Sequence, residues 1–156
     1  LVVCASADIQ RNYDDAVRLT RLMQQHNFVR QGKLYVSCVN PVAPTGPIVF
    51  DNYYIGWFGQ GQWQLPSNKY DIIIFQGCLT CTPWVSKSVF RDIDQVMTEL
   101  NSILVKNGLI ANISHCYWDG LGSNIKGEFD QKFQFLDTLQ LQRTIDTINI
   151  DVWRKQ

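Results

Sequence analysis

The stretch Tyr70-Asp71-Ile72-Ile73-Ile74-Phe75 decides the fold class. Three isoleucines and a phenylalanine follow one acidic residue, and Gln76-Gly77-Cys78 closes the run. A short apolar run bounded by turn residues is read as a strand covered on both faces, as in parallel sheets.

Downstream, Val89, Ile93, Val96, Met97, Leu100, Ile103 and Leu104 keep a 3.6-residue period. They predict an amphipathic helix capped by Ser86 or Ser88 and running to Val105. Gly108, after Asn107, stands where a left-handed helix cap favours glycine. Residues 109–114 read as the next buried strand. Phe129, Phe133 and Leu136 suggest a short helix. Leu139, Leu141 and Ile145 alternate, as do Ile148, Ile150 and Val152, which predicts an antiparallel pair turning near residues 146–149.

Upstream, residues 1–5 read as a buried strand. Asn12 is the expected cap of a helix whose apolar face is Ala16, Leu19 and Met23, ended by residues 27–32. Residues 33–39 form a second predicted strand, stopped by Asn40-Pro41. Between Pro41 and Lys69 the texture changes to proline, glycine and aromatics, with one strand expected within residues 48–55. Apolar strands separated by amphipathic helices give an α/β domain, mostly parallel, with a C-terminal antiparallel hairpin. Ligands of such sheets bind beyond the carboxyl ends of the strands. The segments after Ala5, Val39, Phe75 and Ser114 are therefore expected to share one rim.

The chain has 156 residues, 46% hydrophobic and 18% charged, which suits a single domain spanning residues 1–156. It opens on Leu1, so a piece cut from a longer polypeptide is expected. Fourteen Lys+Arg balance fourteen Asp+Glu, so overall charge does not indicate nucleic acid, although a local basic patch stays open. No apolar run is long enough to span a bilayer. Five cysteines, an odd number, do not form a disulfide framework, which points to a reducing, cytoplasmic setting.

Residues 70–79, the helix to Leu104, and Val105-Lys106-Asn107-Gly108-Leu109-Ile110-Ala111-Asn112-Ile113-Ser114 together resemble the second half of class I S-adenosylmethionine-dependent methyltransferases. In that family an "fDlIi" strand leads into a helix ending in "L-kpGG" and then a strand. The closing hairpin with Trp153 fits the same pattern, and the first half agrees in strand order. The resemblance implies a Rossmann-like methyltransferase sandwich. It also implies S-adenosylmethionine seated over Ala5, Ser6 and Ala7 and beside Asn40, with Gln76 and Gly77 under the methyl group. Two positions depart from the family. The turn Cys4-Ala5-Ser6-Ala7-Asp8 has no glycine, and Asn40 stands where an acidic residue is usual. The alternative is accordingly a non-catalytic module of the same fold, acting in protein interaction or scaffolding.

His115, Tyr117 and Asp119 follow the fifth strand and are the catalytic candidates. His115 can take a proton from an acceptor hydroxyl or amine, and Asp119 can orient or replace it. Asp119-Gly120 is also ordinary turn chemistry. Cys78, Cys81, His115 and Cys116 have donor types that suit zinc, but a single CxxC assigns no metal. The aromatic loop 50–63, with Trp57 and Trp63, is the expected surface for a protein partner.

Overall fold

The computed structural model describes residues 1–4, 8–56, 58–59, 65–76, 93–113 and 121–156. The run that opens the sequence argument is a strand, β4 (Tyr70–Gln76), and it sits inside a seven-stranded sheet. The other elements, in chain order, are β1 (Val2–Cys4), α1 (Ile9–Gln25), β2 (Ser37–Asn40) and β3 (Asn52–Ile55) before it. After it come α2 (Ile93–Ile103), β5 (Leu104–Ile113), α3 (Leu121–Lys132), β6 (Gln134–Gln142) and β7 (Thr147–Arg154). The strand order is β3-β2-β1-β4-β5-β7-β6. The first five strands are mutually parallel, and β7 is antiparallel to both β5 and β6. The mostly parallel sheet with a C-terminal hairpin is thus as expected.

Side chains alternate across the sheet and build two cores. Ile73, Phe75, Ile110 and Trp153 pack with Val96, Met97 and Leu100 of α2 and Phe129 of α3. Val2, Ile74, Ala111, Ile150 and Val152 pack with Ala16, Leu19 and Met23 of α1. Burial on both faces explains why β4 and β5 read as continuous apolar runs rather than alternating ones.

Several boundaries differ from the sequence reading. Asp8, not Asn12, caps α1: its carboxylate accepts the Arg11 backbone N–H at 3.1 Å, and Asn12 is buried within the helix. Strand β2 starts at Ser37, four residues late, and β3 is confined to Asn52–Ile55. Pro47 has no N–H for a ladder, and Ile48 is exposed. Asp51 instead closes the approach, its carboxylate and its N–H both bonded to the backbone of Val36.

The left-handed residue after α2 is Asn107 (φ 63°), not Gly108. Gly108 is needed for space, because a Cβ there would lie 2.7 Å from the Leu104 side chain and 2.9 Å from the Val105 carbonyl. The pairing jumps from Tyr70↔Leu104 to Ile72↔Leu109, so β5 begins directly at the end of α2 and absorbs the extra residues as an irregularity. The helix predicted through Leu136 ends at Lys132, and Leu136 belongs to β6. The hairpin turns at residues 143–146 rather than 146–149, which leaves Ile145 exposed. Arg143 fixes that turn. Its guanidinium pairs with Asp146 and lies 3.6 Å from the buried Asp15 of α1.

Between β3 and β4, Phe58 and Leu65 fill the core beneath α2. The Gly59 N–H donates to Glu99 of α2 at 2.9 Å, and the N–H groups of Asn68 and Lys69 bond the carbonyls of Ser102 and Ile103 at the end of that helix. Burial raises the Glu99 carboxyl above its usual range, and the Gly59 N–H partly offsets this. Gly59 adopts φ +82°, and a Cβ on it would come within 2.5 Å of Val96. Gly59→Ala is expected to lower stability by about 2 kcal/mol. Gly127→Ala, on α3 with nothing within 4 Å, should raise it by about 0.5–1 kcal/mol. Urea unfolding of the two variants beside the parent chain checks both signs.

Candidate functional site

The parallel strands end at one level. Cys4 pairs with Gln76, Gln76 with Ile113, and Asn40 with Ile55, while Val3 beside Val39 brings Cys4 level with Asn40. The rim expected from the sequence therefore exists in the described residues. Asn40 shares the sheet face of Cys38, and Gln76 that of Ile74, which is the face covered by α1. They flank the end of β1, the central strand of the three.

Asn40 is fully buried. Its side-chain oxygen accepts the Val42 N–H at 3.0 Å, an Asx-type turn, and its carbonyl accepts the Gly56 N–H at 2.9 Å. The residue thus stops β2 and ties its end to that of β3. Gly56 takes φ 144° at that junction, where glycine is favoured. Helix α1 starts at Ile9, five residues after β1 ends at Cys4, with Asp8 as its cap. The first amides of a helix lack intrahelical partners and favour anionic groups.

No family model and no curated protein matches the sequence. Solved structures match across nearly the whole chain. A Burkholderia thailandensis 1,6-didemethyltoxoflavin-N1-methyltransferase, with its substrate and S-adenosylhomocysteine bound, aligns with a TM-score of 0.56 at 12% identity. The match covers 99% of this chain and 70% of that one. The chain has the class I methyltransferase fold. A Listeria monocytogenes protein assigned to the S-adenosylmethionine-dependent methyltransferases aligns at 0.53 and 9% identity, covering 99% and 90% of the two chains. The [4+2]-cyclase SpnF aligns equally well, at 0.53 and 10%, covering 99% and 74%. A methyltransferase fold therefore fixes the architecture and leaves the reaction to the site.

Of the residues singled out in the sequence, the structure brings Asn40 and Gln76 to the rim of the methyltransferase fold. Ala5, Ser6, Ala7, Gly77, His115, Tyr117 and Asp119 lie outside the described residues, as do Cys78, Cys81 and Cys116. Strands β4 and β5, which lead into these last segments, are neighbours. Among the described residues no group of three His, Cys, Asp or Glu gathers in a metal-holding arrangement, and Cys38 is a buried free thiol. Trp57 and Trp63 also lie outside the described residues. Their described neighbours Phe50 and Phe58 are core residues, while Tyr53 and Tyr54 are half-buried. No helix among the described residues is long and apolar enough to cross a membrane.

One rim residue went unassigned in the sequence reading. Asn112, next to last in β5, is 1% exposed, and neither polar atom of its carboxamide has a hydrogen-bond partner. It sits opposite Phe75 of β4 and Asp151 of β7. Asp151 accepts the Thr138 hydroxyl at 2.7 Å. The signal was present as a lone carboxamide in an otherwise apolar strand. A buried amide without partners costs roughly 1–3 kcal/mol. Asn112→Val should therefore raise stability by about 1–2 kcal/mol, and Asn112→Asp, which buries a charge, should lower it. Denaturation midpoints of the two variants test this pair of opposite shifts.

Proposed function

We propose that this chain binds S-adenosylmethionine at the carboxyl rim and acts as a methyltransferase domain with an unusual cofactor turn. The observation that carries the reading is the level ending of β1, β2 and β4, with Asn40 and Gln76 on either side of β1 and α1 starting beside it. The residues suit such a cofactor. Ala5, Ser6 and Ala7 are small enough for close backbone approach. Asn40 stands where ribose hydroxyls are bound in the resembling family, and its carboxamide oxygen accepts the Val42 N–H at the end of β2. Gln76, at the end of β4, lies next along the rim, and Gly77 follows it in the sequence.

The bound cofactor supplies an electrophilic methyl group on a sulfonium centre. The chain's part is to hold the acceptor in line and to manage its proton. His115, Tyr117 and Asp119 follow β5 in the sequence and are the candidates for this work, His115 to take the proton from the acceptor hydroxyl or amine and Asp119 to orient or replace it. A second reading, the non-catalytic module with a protein partner at loop 50–63, draws on the same rim. It is favoured by the glycine-free turn and by the missing carboxylate at the end of β2.

Calorimetric titration with S-adenosylhomocysteine separates the two. The methyltransferase reading expects low-micromolar binding, abolished by Ala5→Trp, which fills the turn. Absence of heat up to millimolar ligand would overturn it and leave the module.

A further inference from the structure

The charge of the chain sums to zero, but it is not spread evenly. Arg11, Arg18, Arg21, Arg30 and Lys33 are all exposed and fall within one segment of 23 residues. Among the described residues none of these five side chains makes an ion pair or a hydrogen bond. Positions 11, 18 and 21 share one side of α1. Of the acidic residues nearby, Asp8 caps the helix at the Arg11 backbone N–H. Asp14 holds Gln10 at 3.0 Å, and Asp15 is turned inward toward Arg143.

Helix α1 starts at the rim and runs back along the sheet for 17 residues, about 25 Å. At its far end a cleft of about 510 Å³ opens at the amino edge, beneath the segment joining α1 to β2. Arg30, Lys33 and Lys69 line it, with two carboxylates, Asp51 and Asp71. Asp51 is engaged by the Val36 N–H. Tyr35, also in the lining, is 74% exposed, with the Lys33 ammonium 5.2 Å from its ring centre. An aromatic ring left in water beside unpaired cations matches the chemistry that binds a nucleic acid strand: phosphates on the cations, a base on the ring. Duplex bases are stacked inside and cannot reach such a ring, so the strand is single.

We infer that α1 and the amino-edge cleft form a docking track for a single-stranded nucleic acid, which is the acceptor class delivered to the rim. The binding surface stands on its own residues, whereas the assignment as methyl acceptor rests on the reading of the preceding subsection. The track runs from Tyr35 and Lys33 through Arg30 and up past Arg21, Arg18 and Arg11 toward the end of β1.

Fluorescence anisotropy of the whole chain with labelled oligouridine of about ten nucleotides tests it, with an oligothymidine of equal length and phosphatidylserine vesicles as parallel arms. Four phosphate contacts predict affinity falling about 50-fold between about 50 and about 200 mM salt. Arg18→Glu with Arg21→Glu should weaken binding at least tenfold and flatten the salt dependence. Tyr35→Ala should weaken it several-fold with the salt dependence unchanged, and Tyr35→Phe should restore it. Circular dichroism verifies the fold of each variant, and the tyrosine pair and the salt slope decide the matter should the double charge reversal unfold. RNA binding above DNA binding, or equal binding of both, supports the track and sorts the sugar. No binding of either at low salt, binding indifferent to these variants, or vesicle binding indifferent to Tyr35 overturns it. Titration with S-adenosylhomocysteine on the same sample keeps the two readings apart. Cofactor binding without oligonucleotide binding removes only this inference, and the converse removes the methyltransferase and with it the acceptor assignment, leaving the binding surface.

Discussion

Burial of β4 on both faces is the constraint on which the rest of the structure depends. Ile73 and Phe75 face α2 and α3, Ile74 faces α1, and the strand is hydrogen-bonded to β1 on one side and β5 on the other. Each of these side chains contributes roughly 1.5–3 kcal/mol by leaving water. A slip of one residue would exchange the two faces, sending Ile74 into the α2 layer and Phe75 against α1. The register is therefore fixed, and with it the level at which Cys4, Asn40, Gln76 and Ile113 end. The level rim is a consequence of core packing, before any ligand is considered.

The same packing explains how the segment between β3 and β4 is used. Phe58 and Leu65 occupy the core under α2, and Glu99 grips the Gly59 amide. A glycine in the left-handed region, a half-buried carboxylate with one oxygen unpartnered, and two backbone bonds to the end of α2 hold it in place. On the other face, Arg143 joins the hairpin turn to α1 through Asp15. That contact draws one acidic side chain of α1 into the protein and leaves the helix's outer surface dominated by arginine. Fold stability and surface charge are coupled there through one ion pair.

Much of the fold was legible because its signals are long-period and apolar. The runs at β4 and β5, the repeat along α2 and the alternation of β7 each report burial directly. What was not legible depends on local chemistry with several equivalent solutions. Asp8 and Asn12 are both good caps, and only the position of the helix relative to β1 selects Asp8. Asn107 and Gly108 both suit a helix end; the close approach of Leu104 assigns the glycine to position 108 and leaves the left-handed turn to asparagine. Ile145 continues the alternation of β6, yet the Arg143–Asp146 pair closes the turn before it. At the site, the rim was foreseeable from strand order, and Asn40 from the resemblance, as the residue ending β2 where the family carries an acidic one. Asn112 was expected in a buried strand, but a single polar residue there does not announce its lack of partners. The basic side of α1 was hidden by an overall charge of zero.

The central claim is that the carboxyl rim, and not the amino edge, is the cofactor seat. Hydrogen exchange of the whole chain with and without saturating S-adenosylhomocysteine tests this most directly. The amides of residues 8–11, 40, 42 and 75–76 should slow on addition of the ligand, while those of residues 29–36 and 69–71 keep their rates. Slowing confined to the amino edge, or no change anywhere, would contradict it.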